Sequence, residues 1–88
     1  MKTIRLDITN IATAKALQIY LAYMLELPAY YGKNLDALHD VMGEISEPLC
    51  VQLLGSACSD EMRAYLPRIE RVFEDCVQEN QLLSYRRI

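Results

Sequence analysis

Asp36, Asp40 and Glu44 recur every four residues, and His39, the single histidine of the chain, stands between the first two. On a helix this spacing stacks the three carboxylates in one stripe. A metal site built from Asp36, His39 and Asp40 has the i, i+3, i+4 spacing of helical ligands. Three ligands from one helix leave the coordination shell open, however, and nothing obvious elsewhere closes it. The Asp36 and Asp40 pair could imitate the acid and base of a glycosidase, but a chain of 88 residues offers no substrate cleft around them. Nucleophilic catalysis needs a Ser or Cys activated by a base, and no such partner is patterned around His39. The chain therefore reads as a non-enzyme without metal or cofactor. Cys50, Cys58 and Cys76 are odd in number and lack CxxC spacing, so they are expected to be buried, reduced thiols rather than a disulfide framework.

Two readings of the acidic stripe stand open. In one it is a solvated helix face, with Asp36 favoured by the positive helix N-terminus. In the other it is a surface awaiting a cationic partner, since stacked like charges cost an isolated helix a few tenths of a kcal/mol per pair. Tyr30 and Tyr31 lie just before Gly32, outside any helical core pattern, and an exposed ring there would place an interface anchor beside the carboxylates. Tyr31 is the one expected to be buried.

The elements that must position these groups follow from periodicity. Residues 2–8 alternate polar and apolar side chains as a strand. From Thr13 to Leu25, Leu17, Tyr20, Leu21, Met24 and Leu25 fall at helical spacing, with Thr13 or Asn10 as cap and Pro28 preventing a long continuation. Asn34 is placed to cap a second helix, on which Leu35, Leu38, Met42 and Ile45 share the face opposite the acidic stripe, and Pro48 marks its exit. Leu49 to Leu54 is nearly continuously apolar, the pattern of a strand covered on both faces and central in a parallel sheet. Ser59 or Asp60 opens a short helix through Tyr65, and Pro67 begins another with Ile69, Val72, Phe73, Cys76 and Val77 inward, stopped at Asn80. Leu82 to Ile88 forms a last edge strand. This order predicts one α/β domain over residues 1–88, a small three-stranded parallel sheet with helices packed against it.

Composition narrows the function classes further. Apolar residues make up 52% of the chain and charged residues 24%, as in a globular protein. The net charge of −3 argues against direct nucleic-acid binding. No apolar stretch approaches the roughly 20 residues of a membrane span, and residues 1–8 carry no signal-peptide pattern, so a cytoplasmic location is expected. Residues 26–47 concentrate the acidity.

The segment Leu25-Glu26-Leu27-Pro28-Ala29-Tyr30-Tyr31-Gly32-Lys33-Asn34-Leu35-Asp36-Ala37-Leu38-His39-Asp40 resembles the signature of the barstar family, intracellular inhibitors of a secreted bacterial ribonuclease. The likeness continues through Pro48-Leu49, Val72-Phe73 and the final strand, and so covers essentially the whole chain. It implies an inhibitory surface made by the second helix and the loop before it, whose acidic groups stand in for RNA phosphate in a ribonuclease active site. By matching position, Asp40 is the carboxylate that enters the phosphate site, Asp36 the second acidic contact and Tyr30 the aromatic that packs on the enzyme. Asn34, Leu35 and Gly43 supply backbone and shape contacts, with His39 and Glu44 on the same surface. Asp75 stands where the family has a further acid. The implied partner is a cationic microbial ribonuclease or nuclease toxin domain in a one-to-one complex, with the chain as its immunity protein. The alternative is a barstar-like binding module for a non-nuclease protein. Four departures bear on the target: His39 replaces a tryptophan, the loop after the second helix is one residue shorter, Lys33 adds a positive charge, and Asp75 is one methylene shorter than the usual Glu.

Overall fold

The computed structural model describes residues 2–88. Alternation along the first residues produces β1 (Lys2–Asp7), with Ile4 and Leu6 buried and Thr3, Arg5 and Asp7 exposed. Next come α1 (Ala14–Met24), α2 (Leu35–Gly43), β2 (Leu49–Leu54), α3 (Asp60–Glu79) and β3 (Leu83–Arg87). The sheet is fully parallel in the order β1-β2-β3, so β2 is central as its apolar run predicts. The register sets Ile4 beside Val51 and Val51 beside Tyr85, and these side chains line the core face. Each helix begins at a capping residue whose side chain accepts an orphan amide: Thr13 from Ala16, Asn34 from Ala37 and Ser59 from Met62.

Three expectations need correction. The strand β2 is not covered on both faces: Leu49, Val51 and Leu53 are buried, whereas Cys50 and Gln52 are half-buried and Leu54 is exposed. Its outward neighbours Thr3, Arg5, Ser84 and Arg86 are polar, and Arg5 Nε donates to Gln52 Oε1 at 3.1 Å across that open face. The thiols differ among themselves: Cys76 is buried, Cys50 is half-buried and Cys58 is exposed, its Sγ donating to the Ile11 carbonyl at 3.2 Å. All three are free.

The third correction concerns Pro67, which begins no helix but lies inside α3, a single helix of 20 residues. Met62, Leu66, Ile69, Phe73 and Cys76 form one buried stripe running past it, while Pro67 and Arg63, four residues earlier, are exposed. The carbonyl that proline leaves without an amide therefore faces water, and the continuous apolar stripe outweighs a cost of about 3 kcal/mol. Pro67→Ala is expected to stabilise the protein by about 1 to 3 kcal/mol, read as a higher denaturation midpoint at unchanged slope. No gain at all would mean that α3 is not strained at this turn.

Gly55 is the one glycine that the turn geometry demands. Its φ is +101°, and a Cβ there would stand 2.5 Å from Thr9 Oγ1.

Candidate functional site

The side chains of α2 divide largely as their spacing predicts: Leu38 and Met42 are buried and Leu35 is half-buried, while Asp36, Asp40 and the C-cap Glu44 are exposed. Val41 joins the buried face, and the helix ends at Gly43, which leaves the half-buried Ile45 just beyond it. Tyr30 projects with 75% of its surface exposed, whereas Tyr31 is buried at 6%. The difference has a specific cause: the Tyr31 hydroxyl donates to Gln18 Oε1, and Gln18 Nε2 donates to Tyr65 Oη at 2.8 Å. Gln18 is the one buried polar residue among the described residues, and the sequence does not foresee it. Its place beside Leu17 on the way to Leu21 was the only hint that it faces inward.

This arrangement raises the Tyr31 hydroxyl to about 12 from its ordinary 10, chiefly by burial and secondarily through Tyr65. The folded state thus holds the proton more tightly than the unfolded chain. The associated stability is fully present below pH 10 and is lost as pH rises through 12. Thermal unfolding should show the melting temperature of the parent falling across that window and a flatter profile for Tyr31→Phe. At pH 8 the variant should be less stable by about 1 to 3 kcal/mol, because Gln18 Oε1 loses its donor.

Several contacts clamp α2 to α3. Asn80 Nδ2 donates to the Met42 carbonyl at 3.3 Å and the Ile45 carbonyl at 3.0 Å, satisfying acceptors at the end of α2. Cys76 Sγ approaches the His39 carbonyl at 3.7 Å. Burial, followed by the charges of Glu79 and Asp75, pushes the Cys76 thiol up to about 11, so it stays protonated. His39 Nε2 stands 3.0 Å from Glu79 Oε2, a partner that sequence spacing does not reveal because 40 residues separate the two. His39 is thus half-buried at the seam of the two helices. Asp75 is exposed one turn before Glu79 on α3.

The loop into α2 is shaped by two tight positions. Lys33 has φ 55°, a left-handed conformation uncommon for a non-glycine residue. A Cβ on Gly32 would stand 3.3 Å from Asn34 Nδ2 and 3.4 Å from the Ala37 side chain. Asn34 is exposed and held by its cap to Ala37 at 2.8 Å. Gly43 is different: a Cβ there would meet nothing within 4 Å, so the fold itself does not demand a glycine. Among the described residues, no group of three His, Cys, Asp or Glu side chains is placed to hold a metal ion. No helix among them is long and apolar enough to cross a membrane.

Residues 1–85 of the chain match the family described as Barstar (barnase inhibitor). The chain belongs to the barstar family. The α/β arrangement of three helices with a three-stranded parallel sheet is that of a barstar-like fold. No curated protein matches the chain in a direct comparison. On this fold Asp36, Asp40 and the ring of Tyr30 are exposed, while the His39 imidazole faces Glu79.

Proposed function

We propose that this protein inhibits a microbial ribonuclease by inserting α2 and its preceding loop into the enzyme's cationic active site. The observation that carries this reading is the exposed stripe of Asp36, Asp40 and Glu44 on a barstar-family helix, backed by buried Leu38, Val41 and Met42. A nuclease cleft that binds a polyanion must be cationic, and fixed carboxylates can occupy it without offering a phosphodiester to cleave. Asp40 serves as the phosphate mimic, Asp36 as the second acidic contact and Tyr30 as the aromatic anchor. Asn34, Leu35 and Gly43 contribute shape, and the open space at Gly43 lets a partner backbone approach. Asp75 and Glu44 extend the acidic field, and His39 with Glu79 forms its border along α3. The complex is one-to-one and forms in the cytoplasm, where the protein guards the cell against a nuclease of its own or of its neighbours.

The test is inhibition of barnase, and of any nuclease encoded beside the gene, by the purified protein. Stoichiometric inhibition is expected for at least one of them, and failure with all would reject the proposal. The association rate should fall steeply between 0.1 and 1 M salt, as the screening length shrinks from about 10 Å to about 3 Å. A rate indifferent to salt would indicate a mainly apolar contact.

A further inference from the structure

The hydrogen-bond chain that buries Tyr31 does not end in the core. Tyr31 donates to Gln18, and Gln18 donates to Tyr65, so the Tyr65 oxygen is taken as an acceptor while its own O–H donates to nothing among the described residues. Tyr65 is half-buried and forms the common wall of three adjoining shallow clefts. Lys15, Lys33 and Arg68 line those clefts, all three exposed and none in an ion pair among the described residues. Tyr65, its O–H uncommitted among the described residues, thus shares these clefts with three cations.

Two carboxylates temper this basic cluster. Glu61 lines one cleft and is spent on the Ala14 amide at 2.6 Å. Asp36 lines another together with Lys33 and Arg68, and it also begins the acidic stripe of α2. The clefts are therefore weakly cationic and continuous with the acidic face, an arrangement poorly matched to an isolated phosphate. It matches a protein surface on which both signs of charge lie side by side.

Resting on the inhibitor reading above, we infer that this cleft receives an acidic side chain on the rim of the partner's cationic site. Lys15, Lys33, Arg68 and the Tyr65 hydroxyl take the partner carboxylate while Asp36 and Asp40 take its cations. Such a two-signed surface discriminates among targets. A ribonuclease with an Asp or Glu beside its active site gains a contact, whereas one with a uniformly basic rim meets repulsion.

The test uses the full chain, isotope-labelled for NMR, titrated at low salt with blocked tetraglutamate, blocked tetralysine and inorganic phosphate. Tetraglutamate should shift the signals of Lys15, Lys33, Tyr65 and Arg68. The double variant Lys33→Gln/Arg68→Gln should weaken it about five-fold, the loss of two exposed charge pairs. Arg5→Gln/Arg86→Gln removes the same charge from the open sheet face and should change binding less than about two-fold. Tyr65→Phe, checked for folding by its spectrum, should also weaken tetraglutamate, whereas tetralysine should shift Asp36 and Asp40 and bind the double variant at least as well as the parent. The inference fails if tetraglutamate leaves the cleft unmoved or binds the Lys33/Arg68 double variant like the parent. It also fails if phosphate occupies the cleft more tightly than tetraglutamate, which would make this a small-anion site. Inhibition of barnase and of any nuclease encoded beside the gene, measured on the same samples, separates the two ideas: failure with all of them while the cleft still takes tetraglutamate strikes only the inhibitor reading.

Discussion

Asp40→Ala is expected to weaken binding to the inhibited ribonuclease by about 2 to 5 kcal/mol, mostly through faster dissociation, while leaving the free protein folded. That range is the one for desolvated charge pairs at protein interfaces in general, barnase–barstar among them. In the free protein Asp40 is exposed and makes no ion pair among the described residues, so its removal breaks nothing. It also relieves repulsion from Asp36 and Glu44, one turn to either side, by a few tenths of a kcal/mol. In the complex, the donors that surrounded its carboxylate would be left buried and unpaired. Asp60→Ala is the control: Asp60 lies in the first turn of α3, where Ser59 is the cap, and its carboxylate pairs with Arg63 at 2.9 Å. That pair is exposed, so its loss should cost at most about 1 kcal/mol of stability and leave binding unaltered. Unfolding and ribonuclease binding measured in parallel decide the matter. If Asp40→Ala binds like the parent, or fails to fold, the stripe is not the inhibitory element.

The largest expected effect on stability is that of Phe73→Ala, about 3 to 5 kcal/mol. Phe73 is fully buried on α3, and its ring stacks on Tyr85 of β3 with centroids 5.3 Å apart and planes 8° from parallel. Truncation opens a cavity between the longest helix and an edge strand and removes the stack as well. Total stability for a chain this size is about 4 to 13 kcal/mol, so the variant should unfold at a much lower denaturant concentration. Phe73→Leu, which refills most of the volume, should recover the larger part. A Phe73→Ala loss below about 1 kcal/mol would show that α3 and β3 repack around the gap. Tyr85 itself is a less comfortable partner, for among the described residues its buried hydroxyl makes no hydrogen bond of good geometry, and burial, followed by the nearby Glu70 carboxylate, pushes its ionisation well up.

Most elements were legible because their signals are local. Period-two alternation marked β1, the caps Thr13, Asn34 and Ser59 sat where short polar side chains could reach amides two or three residues on, and the i, i+4 recurrence of Asp36, Asp40 and Glu44 made one stripe wherever the helix went. The inward face of α2 is legible for Leu38 and Met42, which are fully buried, while Val41 is also buried and Ile45 only partly. Pro67 misled, because a proline is a strong local breaker and the stripe that carries α3 through it shows its strength only when packed.

By itself the sequence determined the order of the three strands, the first two helices and the acidic stripe, each a matter of neighbours a few residues apart, and it placed Tyr31 rather than Tyr30 inward. Tertiary structure alone decided that one sheet face stays open, that Gln18 links Tyr31 to Tyr65, and that His39 meets Glu79. The physical reason is distance along the chain. Gln18 and Tyr65 are 47 residues apart, and no period or propensity relates such residues until burial against the sheet brings their helices together.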